Sequence, residues 1–191
     1  MQARTAAPSI KPTGSYALMT PLIGLALVAV GIIFLWQGPD RYSALKAVHV
    51  AFAVLWVGGG ATLTILGIAA EARNDQAQLA SIGALAAWVG ERVFTPSSLI
   101  VLGFGIWLVE EGDLGWGHFW IDFALAVWAV STAIGIFVLN PLTKKLTAAA
   151  EREGFGAPVV QRYLRMVLVV ARIDIALLLL VVVDMAAKPF A

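Results

Sequence analysis

The stretch MVLVVARIDIALLLLVVVD, residues 166–184, decides the fold. Nineteen residues carry only three charges, Arg172, Asp174 and Asp184, and no turn signal interrupts them. At ~1.5 Å per residue the run spans about 28 Å as a helix, close to the ~30 Å hydrocarbon thickness of a bilayer. It does not alternate apolar with polar, as a membrane β-strand of ~10 residues does. Lipid offers no hydrogen bonds, so a span of this kind satisfies its backbone as a helix. Working outward, four more apolar runs appear: Tyr16–Trp36, Ser43–Ala70, Leu79–Val109 and Phe119–Leu139. Glu91-Arg92 interrupts the third, where Pro96 predicts a kink, and Asn140-Pro141 closes the fourth. The expected fold is all-α: a polytopic membrane helix bundle with five transmembrane helices.

Composition leads to the same class. Of 191 residues, 60% are apolar and only 13% charged, with a mean hydropathy of +0.87. A soluble domain of this size must leave many residues facing water, so a soluble enzyme and a disordered chain are both excluded. The formal charge of +1, without a basic tail, excludes a nucleic-acid partner. The absence of cysteine excludes disulfides, thiolate metal sites, iron–sulfur clusters and c-type haem attachment. No phosphate-binding loop is present, so an ATP-driven pump would need a partner's ATPase. Tyr16–Trp36 is 21 residues without a charge and no small-residue cleavage site follows, so it reads as a retained helix.

Loop charges orient the bundle. With five spans, Arg4, Lys11, Arg73, Lys144, Lys145, Arg152, Arg162 and Arg165 fall on one side, and Arg41, Lys46 and Lys188 on the other. The positive-inside bias places the N-terminus in the cytoplasm and the C-terminus outside. The loop with Glu110, Glu111 and Asp113 is then external, beside a belt of Trp36, Trp107, Trp116 and Trp120.

Polar residues inside spans are costly and mark partners or water. In the second span Lys46, His49, Ala53, Trp56 and Gly60 fall at helical spacing on one stripe. Imidazole is the commonest metal and haem ligand, and Gly58-Gly59-Gly60 permits a helix or a flat macrocycle to approach closely. The bland reading of the same residues is helix packing, with one hydrogen bond from His49. His118 and Asp122 lie one turn apart near the external face, where a carboxylate can orient an imidazole or share a metal; a surface histidine is the alternative. Arg172 and Asp174 point to opposite sides of their helix, as clamps to other helices or as an ion path.

Several pieces together carry a resemblance: Leu45-Lys46-x-x-His49, Trp56-Val57-Gly58-Gly59-Gly60, Arg92-Val93-Phe94-x-Pro96, Gly105-x-Trp107-Leu108-Val109, Ala171-Arg172-x-Asp174 and Asp184-Met185-x-x-Lys188-Pro189. From Tyr42 to Pro189 the chain resembles a bacterial family of predicted integral membrane proteins, one of the domain-of-unknown-function groups. The resemblance implies a four-helix core over residues 42–191, with residues 1–41 as an added tail and helix. The His49-to-Gly60 piece is similar, more weakly, to CopD-type copper-resistance proteins and to HemJ-type haem-dependent oxidases; the latter would make His49 a haem ligand.

These readings lead to a protein of the bacterial inner membrane, in contact with the lipid bilayer and belonging to a larger membrane complex or a homo-oligomer. Its expected role is a small accessory subunit or a binder of b-type haem or a divalent metal. Lys46, His49, Trp56, Gly60 and His118 would form a cofactor site, or His49, His118 and Asp122 a metal site. A small metal or proton transporter using Arg172 and Asp174 is the alternative.

Overall fold

A computed structural model of the chain describes residue 38 and residues 40–189. Among these, all regular structure is helical. Four helices are long and apolar enough to cross a membrane: α1 (Arg41–Ala72), α2 (Gln76–Glu111), α3 (Phe119–Glu153) and α4 (Pro158–Ala187). They correspond to four of the five expected spans. The other, Tyr16–Trp36, lies outside the described residues.

Local chemistry sets the ends. Asp40 caps α1, accepting from the Ser43 backbone N–H at 2.8 Å and from its hydroxyl at 2.9 Å. Those bonds hold the Asp40 carboxyl below its ordinary value. The cap is therefore complete above the usual carboxylate range and is lost as the pH falls through the depressed value. Asp75 caps α2 through the Gln78 N–H at 2.9 Å. Proline opens α4, where a missing N–H costs little, and Lys188 closes it at φ +44°, its N–H bonded to the Asp184 carbonyl.

The helices run further than their apolar stretches. Glu91-Arg92 and Pro96 do not divide α2, and Asn140-Pro141 does not end α3. In both places a widened π turn, Gly90–Phe94 or Ile134–Leu139, comes just before the X-Pro pair. A proline ring inside a regular helix clashes with the carbonyl four residues back and removes one hydrogen bond. The wider turn accommodates the proline without breaking the helix. The Thr95 hydroxyl donates to the Gly90 carbonyl at 2.9 Å, which leaves that carbonyl satisfied in an apolar surround. A third π turn, Val54–Gly58, leads into the glycine run of α1, and the Thr62 hydroxyl caps the Gly58 carbonyl at 2.8 Å. The chain after Asn140-Pro141, expected to leave the span there, is thus mostly helix: Asn140–Glu153 is helical, and residues 154–157 link α3 to α4.

Packing concentrates at the two ends. Ala70, Leu79, Leu146, Val160 and Leu164 join all four helices at the end rich in arginine and lysine. Val109, Trp120 and Ile121 form a smaller cluster at the other end, with Met185 and Leu114 against it. Between them the outer surface is apolar. Phe137 is 74% exposed, Val54 65%, Ile65 64% and Val183 63%. Water would penalise so broad a patch, and lipid does not.

Candidate functional site

His49 stands on α1 and reaches across to α2. Its Nδ1 lies 2.9 Å from the Val101 carbonyl, so Nδ1 carries the proton and donates there. Gly105, one turn beyond Val101, makes the approach feasible: a Cβ there would sit 3.1 Å from the ring. Nε2 takes no hydrogen bond among the described residues. Lys46 is exposed one turn away.

The stripe from Lys46 to Gly60 assumes constant helical pitch. The π turn at Val54–Gly58 adds a residue and rotates everything after it by about 100°. Lys46, His49 and Ala53 precede the turn and stay on one stripe, while Trp56 falls within it and Gly60, beyond it, faces Ile175 of α4. The glycines face neighbouring helices. A Cβ on Gly59 would lie 2.8 Å from the Phe94 ring of α2, and one on Gly60 would lie 3.3 Å from Ile175 of α4. Close helix packing thus occupies the space that a macrocycle would need at these two positions.

His118 sits at the extended residue before α3, with its Nε2 3.8 Å from where a Gly115 Cβ would be. Asp122 follows one turn later, exposed, its N–H bonded to the His118 carbonyl at 3.1 Å. His49 contacts α2 six to ten residues before that helix ends, or about 9–15 Å deeper than the loop carrying His118. Among the described residues no three His, Asp or Glu side chains are placed to hold a metal ion.

Arg172 and Asp174 take separate partners. Gly60 opposite Ile175 and Gly67 opposite Leu168 set the antiparallel register of α1 and α4. By that register Glu71 is about eight residues, ~12 Å, from the level of Arg172. Both side chains extend along the helix axes to close the gap, and Arg172 Nη2 pairs with Glu71 Oε2. Asp174 lies near Ser131 of α3, and its Oδ1 has no partner among the described residues. Thr132 Oγ1 and Arg172 Nε are also buried without partners.

Sequence reasoning passed over several of these groups. Glu71 ends the second apolar run in a polar stretch, and no spacing rule links it to Arg172. Ser97, Ser98 and Ser131 are buried to 5% exposure or less. Trp128 Nε1 donates to the Ser98 carbonyl at 3.1 Å, joining α3 to α2. Small hydroxyls inside apolar runs were the available signal.

Residues 43–189 match a family described as a predicted integral membrane protein, DUF2269. The chain belongs to that family. No curated protein matches, and no solved structure matches. The DUF2269 match covers all four described helices, and its description gives membrane residence without an activity. It supports the family resemblance and does not extend to CopD-type or HemJ-type proteins.

Proposed function

We propose that this DUF2269 protein is a small accessory subunit of the bacterial inner membrane, a bundle that holds its shape in lipid and presents it to a partner or to further copies of itself. The supporting observation is where its polar side chains go. His49 joins α1 to α2, Trp128 joins α3 to α2, Arg172 joins α4 to α1, and Gln161 joins α4 to α2 through Gln76 at 2.8 Å. Each bond bridges a different pair of helices, which suits a clamp. In membranes such bonds contribute about 0.6–2 kcal/mol each.

One observation favours a second reading, a b-type haem held by His49. With Nδ1 bonded to a carbonyl, Nε2 is the nitrogen that would hold the iron, as in ligand histidines whose other ring nitrogen is bonded to a backbone carbonyl. Lys46 could meet a propionate from the same stripe. Haem would supply redox or ligand-binding chemistry there. A divalent metal fits less well, because His118 and Asp122 lie at another depth. The transporter alternative rests on the unpartnered Oδ1 of Asp174.

Visible spectra of the protein purified after growth with ample haem separate the first two readings. The accessory reading expects no Soret band, and a loss of about 1 kcal/mol in His49→Ala with partial recovery in His49→Gln. A stoichiometric Soret band that disappears in His49→Ala would replace it with the haem reading.

The orientation has its own test. Reporter fusions at Ala149 and Gly112 should place Ala149 in the cytoplasm and Gly112 outside. Alkaline phosphatase activity at Ala149 would invert the assignment.

A further inference from the structure

The first turns of α4 carry two guanidinium groups that the bundle does not use. Arg162 and Arg165 are exposed, with neither an ion pair nor a hydrogen bond among the described residues. With Pro158, Met166, Val169 and Val170 they line one open hollow on a single face of the helix. Its two halves differ in chemistry. The arginines stand at the basic end of the bundle, and Arg165 is the last charge before the apolar run begins at Met166. Val169 and Val170 lie about 6–8 Å deeper along the axis. The free N–H groups of the α4 N-terminus point toward the same end and add to its positive potential.

We propose that this face binds an anionic phospholipid, its phosphate between Arg162 and Arg165 and an acyl chain along Met166, Val169 and Val170. Guanidinium matches phosphate oxygens two at a time, and at the edge of the hydrocarbon the pair is poorly screened. A free phosphate would use only the arginine half. The apolar half, which begins one residue below Arg165, selects a ligand carrying both a phosphate and a hydrocarbon chain. Lys144 and Lys145 stand on the helical extension of α3. They lie outside the hollow and provide the control.

The test uses the full chain in neutral detergent. Thermal stabilisation and lipid adducts in native mass spectrometry are followed as phosphatidylglycerol, phosphatidylcholine or inorganic phosphate is added. Phosphatidylglycerol should stabilise the wild type and remain bound as a discrete adduct, while the other two should not. Arg162→Gln with Arg165→Gln should weaken that response roughly thirtyfold, from the usual contribution of two basic residues beside an anionic surface. Arg162→Lys with Arg165→Lys should retain part of it, and Lys144→Gln with Lys145→Gln nearly all. Unchanged melting of each variant in phosphatidylcholine would show that the fold is intact. Equal phosphatidylglycerol responses in the wild type and the double glutamine variant would overturn the proposal. So would an equal response to inorganic phosphate, which would make this a simple anion site.

Discussion

Arg172→Leu is expected to destabilise the protein in detergent by about 2 kcal/mol, because it leaves Glu71 without its cation. A fully buried pair broken on one side costs ~3–5 kcal/mol. Here the side chains of Arg172 and Glu71 are 35% and 43% exposed, so screening reduces the figure. Arg172→Lys keeps the charge but loses reach and the planar fork, and should fall between the two. Glu71→Gln should cost less than Arg172→Leu, since a neutral amide still accepts a hydrogen bond. A double-mutant cycle with Arg172→Leu and Glu71→Leu isolates the pair. A coupling near zero would mean that Arg172 merely snorkels to the interface and that α4 is tied to α1 by packing alone.

Gly59→Val should cost about 2–3 kcal/mol through overpacking. Even a Cβ at Gly59 would lie 2.8 Å from Cε1 and 3.1 Å from Cζ of Phe94, inside the contact limit. Phe94 belongs to the π turn Gly90–Phe94, so pushing it aside disturbs a segment that already departs from regular helix. Gly59→Ala should show the same sign with a smaller size. Phe94→Leu should rescue Gly59→Val, since it removes the ring that collides. Gly83→Ala serves as the control: no atom lies within 4 Å of its Cβ position, so it should be neutral or slightly stabilising. If Gly59→Val melts with the wild type, α1 and α2 are not in the contact described.

Much of this protein was legible in the amino-acid order. The apolar runs from residue 43 onward placed four helices, because lipid leaves the backbone no alternative to helix and because length at ~1.5 Å per residue must match the bilayer. The family resemblance over residues 42–189 rested on the same stretches that the family match covers. Arg172 also announced itself as a residue needing a partner, since an unpaired charge at that depth is expensive.

The partners themselves were decided by the tertiary structure. Glu71 is 101 positions from Arg172, and Val101 is 52 from His49. Such pairings follow from the register of one helix against another, which is set by glycine contacts and π turns. The stripe through Lys46, His49, Trp56 and Gly60 looked continuous because spacing rules assume one pitch. Asn140-Pro141 looked like a stop because proline ordinarily ends a helix. A π turn changes both outcomes, and nothing within the residues of Val54–Gly58 or Ile134–Leu139 themselves marks one, although Pro141 follows the second. Each extra residue in a turn leaves a carbonyl to be satisfied, and only neighbouring hydroxyls and packed side chains make that conformation the stable one.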